Sequence, residues 1–200
     1  MQPWMVLLGF LFLIAGACSL TLFRSWIRIL VAVAVQSLGF GLVAMQICNP
    51  SIAIAKSVIG WIAVALLAIT LSREKRESRD EVNTPIAFFF RFSLLLFLFS
   101  SIVALLPQLG GVFRDPPAGV TFGACCLITV GLLNLGLSEH PLRSGVSLLT
   151  VLQGFELGYL WIEQSLLVLA LLAVTDLAII MVLIILHSNA APATHDEAAP

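Results

Sequence analysis

Charge is scarce in this 200-residue sequence. Asp, Glu, Lys and Arg together make up 10% of it, where a water-soluble domain of this size carries about 25%. With 60% hydrophobic residues and a mean hydropathy of +1.08, that shortage excludes a soluble globular domain. No extended polar segment interrupts the apolar ones; the longest is the short run around Arg73 to Thr84, too brief for a soluble domain between spans. The four cysteines, Cys18, Cys48, Cys125 and Cys126, form no CxxC or Cys/His ligand pattern, so they read as packing residues. There is no Cys cluster and no pair of histidines of the kind that ligates haem, so no redox cofactor is expected. A net charge of −1 excludes a nucleic-acid surface as the main business. The opening MQPWMVLLGF lacks a positive n-region and is expected to be a retained span, not a cleaved signal peptide.

What is present is a succession of uncharged apolar stretches, such as Trp4 to Leu22, each long enough to cross roughly 30 Å of hydrocarbon. The reading is an all-α integral membrane bundle of seven transmembrane helices, over roughly 3–22, 28–47, 52–72, 86–106, 119–138, 144–162 and 165–187. The breaks are FRSWIR, CNPS, SREKRESRDEVNTP, PQLGGVFRDPPAG, SEHPLR and IEQS, rich in turn-forming and charged residues. The chain divides into a three-helix segment with a charged loop (1–84), a four-helix segment (85–187) and a tail (188–200). The tail, SNAAPATHDEAAP, is small, polar and Pro-containing, so it is expected to be disordered.

Basic residues orient the bundle. Arg24 and Arg28 fall in the first loop, Arg73, Lys75, Arg76 and Arg79 in the third, and Arg143 in the fifth. The opposite loops hold Arg114. Seven spans with the N-terminus outside and the C-terminus in the cytoplasm put nearly all of them inside. The expected location is the inner (plasma) membrane, multi-pass.

A few ionisable residues remain at depth: Lys56, Glu156 and Asp176, with Arg91 and Glu163 nearer helix ends. Inserting such a group at a helix centre costs about 2.5–3.5 kcal/mol on insertion scales, so each implies protein-lined or hydrated surroundings. Counted along their helices, Glu156 and Asp176 fall near mid-membrane at similar depth on antiparallel neighbours, close enough for one or two waters to bridge. Gln153 and Tyr159 lie three residues either side of Glu156 and share its face. Thr175 stands beside Asp176, and Gln36 is a further polar residue within a span. Gly154 and Gly158 form a small-xxx-small pair that lets another helix approach. Polar groups such as Gln153 and Asn134 serve as hydrogen-bonding links between helices. Two carboxyls at depth are a costlier way to make such a link than one amide. A carboxyl in a low-dielectric setting can exchange a proton near neutral pH, so Glu156 and Asp176 are the candidate relay. Lys56 has two readings: its stem snorkels to the outer interface, or it is buried against a partner subunit. Arg91, in IAFFFRFSLLL, is read as snorkelling to the cytoplasmic interface.

From about Phe122 to Leu186 the chain resembles the K-type small membrane subunit of respiratory complex I and its relatives in Mrp antiporters. The features that carry this are the short basic loop HPLR, the polar cluster of Gln153, Gly154 and Glu156, and a hairpin into a helix with one central acid. The length, the seven spans and the segment AVTDLAIIMVLIIL look especially like component E of hydrogenase-4-type membrane hydrogenases. NPSIAIAKSVIG is similar to a pattern of Pro, small residues, a glutamate and a Gly in a small Mrp and membrane-bound-hydrogenase subunit. Lys56 stands where that pattern has an acid, Glu156 is about one turn from the usual penultimate-helix carboxylate, and Asp176 replaces the usual glutamate. The resemblance implies a part in proton or sodium translocation driven by a redox partner. The implied partners are large antiporter-like subunits, small helical subunits and the lipid bilayer.

Three functions compete at this level. The first is an accessory subunit carrying part of a mid-membrane polar relay, with no catalytic activity by itself. The second is a structural spacer whose charges set helix register. The third is a stand-alone small transporter, for which inverted repeats are expected; the Lys56 and Asp176 hairpins show a faint similarity in parallel order instead. The orientation can be tested directly. Cysteines introduced at Ser78 and Gly111 should react with a membrane-impermeant label from opposite sides, and labelling of both from one side would overturn the seven-span topology.

Overall fold

The computed structural model describes residues 3–23, 25–73, 85–110, 118–138, 140–163 and 165–190. Among them are seven α-helices and no strand: α1 (Pro3–Leu22), α2 (Trp26–Ile47), α3 (Pro50–Arg73), α4 (Pro85–Gly110), α5 (Ala118–Leu137), α6 (Pro141–Ile162) and α7 (Leu166–Ala190). Six of them, α2 to α7, are long and apolar enough to cross a membrane, and α1 contributes the shorter apolar stretch Leu7–Leu22. The chain is therefore a multi-pass membrane protein. The interiors of the loops expected at 74–84 and 111–117, and the tail from 191 onward, lie outside the described residues.

Proline explains where the helix ends depart from expectation. α3 and α6 begin two to three residues earlier than the sequence reading placed them, at Pro50 and Pro141. A proline fits the first helical position because its missing N–H would have no intrahelical partner there and its φ is already helical. α4 does not stop before Pro107, as its sequence had implied, but runs through it to Gly110. A proline so near the C-terminus removes one hydrogen bond of the last turns, which an otherwise apolar helix tolerates. α7 also continues to Ala190, three residues into the stretch assigned to the tail.

The helices pack in three groups. α1 with α2, and α5 with α6, make the most extensive pairings, and α1 also meets α5. Their shared core includes Leu13, Ala17, Phe40, Val43, Leu127, Val130 and Leu157. α4 lies outside, against α5 and α1, and α3 and α7 pair with each other against α2 and α6. Ala63, Leu149 and Ile180 make a small core where α3, α6 and α7 meet. The outward faces are apolar, with Phe89, Phe90 and Phe97 of α4 and Leu171, Val174 and Met181 of α7 exposed, as expected of surfaces that face hydrocarbon.

Close backbone approach depends on particular glycines. A Cβ at Gly39 would lie 2.5 Å from the backbone N of Leu13 and 2.8 Å from the carbonyl O of Gly9, so α1 and α2 touch there backbone to backbone. Gly154 does the same for α6 against α5, where a Cβ would lie 2.8 Å from Ile128 N. Gly158, expected to share that role, faces Ala124 at an ordinary 3.7 Å.

A polar layer closes one end of the bundle. Asn134 Nδ2 donates to Thr21 Oγ1 at 3.0 Å, linking α5 to α1. Arg91 Nη1 donates to the Thr21 carbonyl, and Arg143 Nη2 to the carbonyls of Leu20 and Phe23. Two guanidinium groups thus cover the carbonyls left without intrahelical partners at the end of α1, where the helix dipole favours positive charge. Arg91 is buried and turns into the protein, so the snorkelling reading of this residue is corrected. Its cost at depth is offset by those carbonyls.

The glycine contacts predict graded damage. Gly39→Ala should destabilise the folded bundle by about 1–3 kcal/mol, the usual cost of overpacking, read as earlier loss of helicity in a detergent denaturation series. Gly136→Ala, where an added carbon meets nothing within 4 Å, should leave the midpoint unchanged.

Candidate functional site

Three helices supply one ionisable residue each to a single point. Lys56 comes from α3, Glu156 from α6 and Asp176 from α7. Lys56 Nζ donates to Glu156 Oε1 at 2.5 Å and to Asp176 Oδ2 at 2.7 Å. All three are buried, and at 5% exposure Lys56 reaches no interface. Of its two sequence readings, burial holds; the groups it faces belong to its own chain.

The local sequence explains how a lysine turns inward here. α2 and α3 pack through two complementary small pairs, four residues apart on α2 and three apart on α3. A Cβ at Gly41 would collide with Ser57 Oγ, and one at Gly60 would lie 2.7 Å from Ser37 Oγ. The hydroxyls of Ser37 and Ser57 each donate to the carbonyl four residues back, which satisfies them without a partner helix. Close approach along this seam leaves the Lys56 stem room to extend towards α6 and α7. Counted at ~1.5 Å per residue, Lys56 is about 9 Å from the start of α3 and Glu156 about 9 Å from the end of α6. Asp176 is about 15 Å from the start of α7 by the same measure. The carboxyl-bearing backbones are therefore staggered by about 6 Å when both are measured from the turn that joins α6 to α7. They are not level as the sequence reading had them, because equal distances from the starts of antiparallel helices are counted from opposite sides of the membrane. The gap between them is filled by an ammonium group, where a water bridge had been expected.

Next to this cluster, Gln36 Nε2 donates to Gln153 Oε1 at 2.7 Å, joining α2 to α6. Gln36 and Gln153 thus belong to the same polar interior as the three charged residues. Tyr159 and Thr175 do not. Tyr159 donates its hydroxyl to Glu163 Oε2 at 2.8 Å and stacks on the exposed Phe155, and Thr175 donates to the Leu171 carbonyl of its own helix. A side chain three residues after Glu156 sits about 60° round the helix, enough to point Tyr159 outward.

A cavity of about 10 Å³ adjoins the cluster, lined by Ser37, Phe40, Lys56, Gly60, Gln153 and Asp176. Ser37 and Gly60 were missed from sequence. Two signals were there to find them: Ser37 follows Gln36, and Gly60 lies one turn after Lys56 on the same face. Three buried oxygens around the site, Gln36 Oε1, Glu156 Oε2 and Asp176 Oδ1, have no hydrogen-bond partner among the described residues.

The electrostatics follow from counting. One ammonium faces two carboxyls, so the cluster carries a net negative charge if both are ionised and is neutral if one holds a proton. An uncompensated charge in a low-dielectric interior is expensive, so the two carboxyls depend on the Lys56 ammonium as their counter-charge. Comparison with protein-family models, curated proteins and solved structures finds no match, and the reading of this site rests on its own geometry.

Removing the cation should expose that balance. Lys56→Met leaves two carboxyls with no counter-charge and should destabilise the bundle by about 3–5 kcal/mol, as when one partner of a buried ion pair is lost. Adding Glu156→Gln and Asp176→Asn should recover most of the loss in the same detergent denaturation measurement.

Proposed function

We propose that this chain is an ion-translocating accessory subunit of a complex-I-like, membrane-bound-hydrogenase or Mrp-type assembly, and that Lys56, Glu156 and Asp176 form part of its proton relay. The observation that carries the reading is the Lys56 ammonium held between two buried carboxyls from two other helices. The proton inventory of such a cluster can move without any backbone motion. The ammonium gives a proton to Glu156, leaving a neutral amine and a neutral carboxyl, and the amine then takes the proton held by Asp176. One proton has passed from Asp176 to Glu156, and the lysine is restored. Donors and acceptors within hydrogen-bond distance are what general acid–base transfer requires.

A spacer needs none of this. One amide pair, such as Gln36 with Gln153, already links α2 to α6, and three ionisable groups carry a larger insertion cost than a second amide pair would. In the proposed assembly α1 is the seventh span, the N-terminus is outside and the membrane is the inner one. The apolar outer faces of α4 and α7 are met by lipid and by neighbouring subunits. Electron transfer belongs to another subunit of the complex.

Asp176 is the point of attack for a test, because Asp176→Asn keeps shape and hydrogen bonding and removes titration. With the parent complex energised in membrane vesicles, this variant should assemble normally and lower coupled pumping about 100-fold, the scale of a lost acid–base group. Asp176→Glu should retain most of the activity. An Asn variant that assembles and pumps at the wild-type rate would mean that the cluster is structural.

A further inference from the structure

The cavity beside the cluster has the size and the lining of a site for one molecule. Its volume is about 10 Å³, at the threshold of about 10–15 Å³ that one water requires. Such a water also needs two to four polar partners, and the lining brings Lys56, Asp176, Ser37 and Gln153 together. Two features point to an occupant independently of the volume. Asp176 is buried, at 7% exposure for the residue and 11% for its side chain, yet its Oδ1 is enclosed with no hydrogen-bond partner among the described residues. And one wall depends on residue 60 having no side chain: a Cβ there would lie 2.7 Å from Ser37 Oγ and 2.9 Å from Ser37 Cβ, so an added methyl would displace the serine from its place in the cavity wall. A small polar-lined cavity beside an unpartnered buried oxygen is a built site.

The chemistry of the lining selects the occupant. A metal cation takes several oxygen ligands, six to eight for calcium and six for magnesium, whereas here the ammonium of Lys56 already occupies the position between the two carboxyls. Water suits the mixture, because it accepts from N–H groups and donates to a carboxylate and a hydroxyl oxygen.

We infer that Gly60 holds open a site for a single water that binds Asp176 Oδ1 and is part of the relay. This rests on the proton-relay reading for its function, though not for its existence. Facing an ionised Asp176, the water donates to Oδ1; facing a protonated one, it turns and accepts from the O–H. Either protonation state is then satisfied in place, with no movement of the carboxyl or of α7. Without the water, the ionised form is left with an unsolvated oxygen, and the reversible titration on which the relay depends becomes one-sided. Gly60 and Ser37 are positioning residues in this scheme, since they shape the space and exchange no proton themselves.

The experiment is a water-resolving cryo-electron microscopy map of the wild-type complex, combined with pumping in vesicles. One peak within hydrogen-bond distance of Asp176 Oδ1 and Lys56 Nζ is expected. Gly60→Ala should remove the peak and lower pumping about tenfold, equivalent to ~1.4 kcal/mol of lost solvation of one protonation state. The pair Ser37→Gly with Gly60→Ala, which vacates the colliding side chain, should restore both. That arm separates loss of the water from a folding defect in the single variant. A wild-type map with no peak, or a peak with a metal-like shell of oxygens, would overturn the inference. So would a Gly60→Ala complex that lacks the water and pumps normally. If Asp176→Asn pumps normally while the wild-type peak is present, the relay has failed and the water site stands as a structural one.

Discussion

The ammonium of Lys56 is the group around which the second half of this bundle is arranged. It is the contact that joins α3 to both α6 and α7 through charge, and each of its two ion pairs is made in the protein interior. Hydrocarbon surfaces give helices little reason to choose one neighbour over another, since lipid tails are as apolar as leucine. A buried ion cluster does choose, because any other arrangement leaves a charge without its partner. The position of α3 beside α7, distant in sequence but adjacent in space, is consistent with this requirement. The small-residue seam between α2 and α3 is its counterpart, since without the Ser37–Gly60 and Gly41–Ser57 contacts the lysine stem would have no path inward.

The bundle separates its polar groups into two layers with different chemistry. At one end, Arg91, Arg143, Asn134 and Thr21 satisfy the carbonyls that close α1. These groups keep one protonation state and their bonds are structural. Towards the other end lie Lys56, Glu156 and Asp176, with the Gln36–Gln153 amide pair beside them. One layer contains cations and neutral acceptors, the other an excess of acid over base. The asymmetry places Arg91 in the layer that holds helix ends together, although sequence position alone made it resemble a snorkelling residue.

The two hairpins that the sequence showed as weakly similar, one bearing Lys56 and one bearing Asp176, turn out to be spatial neighbours. α3 meets α7 and α2 meets α6, so the cation of one hairpin answers the acids of the other. Their parallel order has a physical use here, since α3 and α7 run side by side in the same direction and the long lysine stem spans the offset of about 6 Å between Lys56 and Asp176. An opposite charge at corresponding places then becomes an ion pair, not a repulsion.

Much of this was legible in the residues. The shortage of charge implied a membrane protein, uncharged runs separated by Pro, Gly and charged breaks located all seven helices to within a few residues, and the three ionisable groups at depth were conspicuous against that background. Their meeting was not legible. Helices that are apolar on every side have no hydrophobic period, so nothing in the order of residues says which face turns to protein and which to lipid. For the same reason Lys56 could be read as snorkelling, Tyr159 as joining Glu156, and the acids as level. Composition determined what this chain dissolves in and how many helices it makes. The tertiary structure decided which side chains meet, because in hydrocarbon that choice is made by close backbone approach and by charges that must find one another, and both are properties of pairs of helices.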